Sequence, residues 1–198
     1  MDLFFTGTRD QALLAMAVQE ASLVASTRPN AYVGRTAVQK ILYHLKVMGV
    51  SMNYSFELYR YGPFCDAIIR DMEWLQADSV VLDDSKHPDR YSAYKPGPAV
   101  DALLGKHGAT LEKYRQKVRK VAAALAPFDP KQMELIATLD YVHRWEAATD
   151  AETPLRERVL ARFHKAKPGK FDLEEVERTY DSMLACQLLP EDLGGNGR

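Results

Sequence analysis

The chain has 198 residues, 46% apolar and 27% charged, a balance that supports a buried core and excludes intrinsic disorder. Its net charge of −1 excludes a molecule-wide cationic field, so any nucleic-acid binding needs a local patch. Two distant cysteines, Cys65 and Cys186, exclude a disulfide framework or zinc knuckle, and no segment approaches the roughly eighteen apolar residues of a membrane span.

In chain order, the start MDLFFTGTRD lacks the basic region of a signal peptide, so a cytoplasmic protein is expected. A first helix runs from Thr8, its cap, to Ser26, with Leu13, Leu14, Ala17, Val18, Ala21 and Val24 at helical spacing, until Pro29-Asn30 stop it. The second covers 35–48 with Val38, Ile41, Leu42 and Leu45 inward and Gly49 past its end. A short strand, MNYSFELYRYG, follows. Gly62 allows a sharp turn, and Pro63 suits the first position of a third helix reaching Gln76. That helix turns Phe64, Ile68, Met72 and Leu75 inward, flanked by Cys65, Ile69 and Trp74. SVVLDD and RYSAYK then read as a hairpin turning at Pro88-Asp89.

Helix, helix, strand, helix, hairpin is the order of a winged helix. Five further helices, at 98–104, 111–125, 130–148, 154–164 and 172–188, are punctuated by Pro127, Pro130, Pro154 and Pro168. The expected fold is therefore mainly α with a minor β part (α+β). A winged-helix-like module with a short β-ribbon spans 8–96, a C-terminal helical region at 97–189 packs on it, and 190–198 form a flexible tail.

The stretch GRTAVQKILYHLKVMG, followed by FELYRYGPF and a helix carrying Asp66 and Asp71, resembles the signature of bacterial YwgA-type proteins. In those, a Gly-Arg-Thr-x-x-Gln-Lys helix precedes a strand ending in Tyr-Gly-Pro. More distantly it is similar to the Panacea domain, the SocA-like antitoxin domain. The resemblance covers 34–82 and departs at Ala37, where the motif usually has Lys, and at Phe64, where Tyr or Val is usual. It implies a helical module of antitoxins and of phage- or defence-associated proteins, acting mainly by binding other proteins.

A DNA-reading third helix needs Arg, Lys, Asn or Gln facing the bases. Here Asp66, Asp71, Glu73 and Asp78 stand against Arg70 and Gln76, and the wing carries Asp83, Asp84 and Asp89 beside Lys86, His87 and Arg90. This composition favours a protein partner, such as a toxin, a protease or another regulator, over DNA. Strand alternation displays Tyr59 and Tyr61 on one side, or packs them on the C-terminal helices, and with Phe64, Asp66 and Arg70 they form the expected partner-binding face. Asp66 also suits a helix N-terminus for its dipole alone.

Arg35, Lys40 and Lys46 on the second helix, and Lys113, Arg115, Lys117, Arg119 and Lys120 on the fifth, form either solvated faces or a basic patch for an acidic partner or nucleic acid.

No enzymatic activity, cofactor or metal is expected. The five histidines lack metal-ligand spacing, and Asp140, His143 and Glu146 along one helix read as a charge cluster. A Gly-x-Ser-x-Gly turn and the phosphate-cradling glycine loops are missing. Arg158 to His164 resembles the Arg-x4-6-His motif of HEPN ribonucleases, with Val159 where a polar residue normally stands; it implies a ribonuclease as an alternative. The functional expectation is a non-enzymatic bacterial regulator or antitoxin-like adaptor, as a monomer or homodimer, with a winged-helix transcriptional regulator as the other alternative.

Overall fold

The computed structural model describes residues 3–28, 31–87, 89–149 and 151–189; the expected flexible tail, the Pro29-Asn30 stop and Pro88 of the wing turn lie outside them. The chain is mainly helical, with two small two-stranded antiparallel sheets among the described residues. It divides into two compact units, Met1–Glu57 with Phe64–Met133, and Leu58–Pro63 with Glu134–Arg198.

The first unit is built round α1 (Arg9–Ala25). Thr8 and Gln11 cap each other reciprocally, the Thr8 hydroxyl accepting from the Gln11 N–H and the Gln11 side chain accepting from the Thr8 N–H. Every residue from Ala12 to Val18 is buried, so α1 is a central helix rather than an amphipathic surface one. α2 (Arg35–Val47) and α3 (Asp66–Ala77) pack against it, burying Val38, Ile41, Leu42 and Leu45, and Ile68, Met72 and Leu75.

The wing is an antiparallel pair formed by β3 (Val81–Asp83) and β4 (Tyr94–Pro96), whose Tyr94 also bridges back to Val33 ahead of α2. A Cβ on Gly97 would stand 2.2 Å from the Ser79 carbonyl oxygen, so the wing's return passes too close to the end of α3 for another residue. Three helices and a β-ribbon follow one another here in the order expected from the sequence.

Strands β1 (Glu57–Tyr59) and β2 (Gly62–Phe64) form the second sheet. The sequence places Pro63 and Phe64 at the start of the third helix; both lie in β2 instead, and α3 starts at Asp66 with Cys65 as N-cap. Two features explain the difference. Gly62 has φ +82°, which carries the chain out of the Arg60-Tyr61 turn into a returning strand. The Gln39 side chain then donates to the Cys65 carbonyl and accepts from its N–H, both at 3.0 Å, holding residue 65 extended.

α4 (Val100–Lys106) and α5 (Gly108–Leu125) also belong to the first unit. Leu111, Val118, Val121, Ala122 and Leu125 of α5 share one core with α1 and α2. The division therefore falls at 133/134 rather than at the expected 96/97, because the apolar face of α5 is matched by α1.

α6 (Pro130–Ala147) enters the second unit at Glu134. There Leu135, Leu139 and Val142 pack with Val159 and Phe163 of α7 (Leu155–Ala166) and with Val176, Tyr180 and Met183 of α8 (Leu173–Ala185). Asp172 caps α8 by accepting the Glu175 N–H. Leu58, from the tip between β1 and β2, packs against this second core.

Candidate functional site

The outward face of α3 differs from the acidic surface its composition suggests. Asp71 accepts from the Tyr54 hydroxyl at 2.7 Å and from the Gln11 amide at 3.0 Å. Asp78, buried at the helix end, accepts from the N–H groups of Phe4, Phe5 and Thr6 and from the Thr6 hydroxyl. Burial alone would raise its carboxyl pKa, but these donors outweigh it and hold the group below the ordinary range. Asp66 pairs with Arg70 one turn on, and Gln76 donates to the Met72 carbonyl.

What remains outward is Glu73, the Asp66–Arg70 pair, and two large apolar side chains, Ile69 (41% exposed) and Trp74 (48%). The sequence sets Ile69 and Trp74 beside the inward stripe. Ile68, Met72 and Leu75 fill that stripe, so the helix has no inward place left for them. Phe4 and Phe5, whose backbone Asp78 pins, are exposed too, and the sequence carries no sign of that tie.

The five expected partner-binding residues divide between the units: Phe64, Asp66 and Arg70 in the first, Tyr59 and Tyr61 in the second. Tyr59 (66% exposed) and Tyr61 (54%) are displayed, although Tyr61 lies in the turn rather than in the strand that was to orient it. The Lys167 ammonium donates to the Tyr59 carbonyl at 3.0 Å and the Arg60 carbonyl at 2.6 Å, and it pairs with Glu134 at 3.0 Å. Lys170 bonds both Glu134 oxygens at 2.7 Å and stands 4.5 Å from the Tyr61 ring centroid. Burial pushes the Lys167 pKa down while Glu134 opposes the shift. Glu134, Lys167 and Lys170 escape a reading by local pattern because their partners lie more than a hundred residues upstream or on another helix.

The proposed basic patch is largely consumed. Lys40 is buried, 1% exposed, and so cannot join a surface. Arg115 and Arg119 reach across to buried Glu20 at 3.0 and 2.9 Å, while Lys117 donates to the Met48 carbonyl and Lys46 to the Tyr54 carbonyl. Burial raises the Glu20 carboxyl, but the two guanidiniums outweigh it and hold it below the ordinary range. Arg35, Lys113 and Lys120 remain exposed, as does Arg119 while paired with Glu20.

On the second unit, Arg158 donates to the Thr149 carbonyl at 2.9 Å and lies 3.8 Å from Glu146, and His164 stacks edge-on against Phe163. Arg158 and His164 therefore sit on α7 engaged with different neighbours. The trio on α6 is separated in the same way: Asp140 pairs with Arg144, His143 bonds the Tyr180 hydroxyl at 2.8 Å, and Glu146 pairs with Arg162. Among the described residues no group of three or more His, Cys, Asp or Glu could hold a metal ion, and no helix is long and apolar enough to cross a membrane. Compared with protein-family models and with curated proteins, the chain matches none.

Proposed function

We propose that this protein acts by binding another protein, as a non-enzymatic intracellular bacterial regulator or antitoxin-like adaptor whose partner is a toxin, a protease or another regulator. The observation that carries this reading is the outward face of α3. In a winged helix that reads DNA, this face would offer cations and amide groups. Here it offers Ile69 and Trp74 around a paired Asp66–Arg70 and an acidic Glu73. An exposed tryptophan edged by charges is the composition of an interface anchor and a poor match for a phosphate backbone. The tyrosine pair at the tip of the β1–β2 hairpin supplies a second displayed aromatic surface. Association with phage or other defence functions is what the resemblance over 34–82 implies.

Affinity purification from source cells, with wild type set beside Trp74→Ala plus Arg70→Glu, tests this. Both substitutions are at exposed positions, so unchanged circular dichroism and melting are expected. A specific protein recovered with wild type and lost with the variant supports the reading. Nucleic acid recovered equally with both, and no protein that distinguishes them, overturns it.

A further inference from the structure

We propose that Glu134, Lys167 and Lys170 form a charge-operated latch that holds the hairpin tip, residues 58–63, and thereby the display of Tyr59 and Tyr61. The tip, 58–63, belongs to the second unit, while its strands continue to Glu57 and Phe64 of the first. Leu58 packs on the second core and Gly62 and Pro63 are buried, but the side chains of Tyr59, Arg60 and Tyr61 are all exposed, so the turn at 59–61 buries little apolar area of its own.

Its carbonyls are instead taken by ammonium groups. Lys167 spends two of its three donors on the Tyr59 and Arg60 carbonyls and the third on Glu134. Lys170 covers the Tyr61 ring and shares the same carboxylate. Glu134 is buried and, among the described residues, is the carboxylate that pairs with both lysines. With Leu58 and Pro63 anchoring its ends, the exposed turn at 59–61 is held by charge-assisted bonds that charge neutralisation weakens.

Lys170, a third exposed, is the member of the latch open to solvent, so a change there reaches the tip without opening a core. The functional meaning of the latch rests on Tyr59 and Tyr61 taking part in partner binding. Its existence does not.

Arg60, exposed at the turn, is a built-in probe, because trypsin cleaves after it only when the tip opens locally. The test is limited proteolysis of the full chain, followed by mass spectrometry, for wild type, Lys170→Gln, Lys170→Arg and Glu134→Gln, with melting recorded for each. Cleavage after Arg60 is expected to accelerate about tenfold in Lys170→Gln and at least as much in Glu134→Gln, and to stay near wild type in Lys170→Arg. Unchanged cleavage in both neutralised variants overturns the latch. So does an increase matched at every other tryptic site, because that reports loss of the whole fold. The assay contains no partner, so its failure is distinguishable from a failure to capture one.

Discussion

Both units bury carboxylates that receive donors, but they differ in what those charges help to hold. In the first, carboxylates receive donors: Asp78 gathers three backbone N–H groups and a hydroxyl, Asp10 accepts the Asn53 N–H, and Glu20 receives two guanidiniums. These ties lie beside one large apolar core that α1 to α5 share. In the second, Glu134, Asp140 and Glu146 accept from cations in the same way, and the Lys167 ammonium in addition donates to two carbonyls of a turn whose Tyr59, Arg60 and Tyr61 side chains are exposed. The lesson concerns the weight of a charge. The same kind of bond lies beside a large apolar core in the first unit and holds the exposed turn at 59–61 in the second.

Substitutions of decreasing severity can break or sharpen that contrast. Phe163→Ala in the second core should cost about 3–5 kcal/mol, and Leu14→Ala in the first about 2–5 kcal/mol, both read from urea unfolding. Asp78→Ala should cost about 1–3 kcal/mol and speed hydrogen exchange at residues 4–6, since it leaves those N–H groups without their acceptor.

The pH dependence of the first unit has a definite sign. Asp78 and Glu20 have native pKa values below their unfolded ones, so the unfolded state binds more protons in acid. Their stabilisation is fully present above the ordinary carboxylate value of about 4 and is lost as pH falls through the lowered native values. The urea midpoint of wild type should therefore fall as pH drops below about 4, and Asp78→Asn should flatten that fall.

Lys170→Gln, which removes one partner of buried Glu134 at a half-buried position, should cost about 1 kcal/mol, and Trp74→Ala, at an exposed one, less than about 0.5 kcal/mol. The first should nevertheless free the tip, and the second should reduce partner recovery.

Much of the fold is legible in local pattern. Thr8 and Gln11 announce the start of α1, the spacing of Val38, Ile41, Leu42 and Leu45 fixes α2, and the two strand-like runs after α3 form the wing. Where the reading departs, a distant residue decides. Pro63 fits a helix start equally well by local rules, and the Gln39 side chain, 26 residues away, holds Cys65 extended instead.

The same cause blurs the site. Asp71, Asp78, Arg115 and Arg119 look like free surface charge until their partners Tyr54, Thr6 and Glu20 arrive from other elements. Trp74 looks like core because its apolar character hides the fact that three neighbours already fill the inward stripe.

The most direct measurement is site-specific photo-crosslinking in source cells, with p-benzoylphenylalanine replacing Trp74 and, as a control on another exposed position, Leu173. The expected result is a defined protein joined to the chain from position 74 and missing from position 173. Cross-links from position 74 to nucleic acid, or the same products from both positions, would contradict a protein-binding role for the outward face of α3.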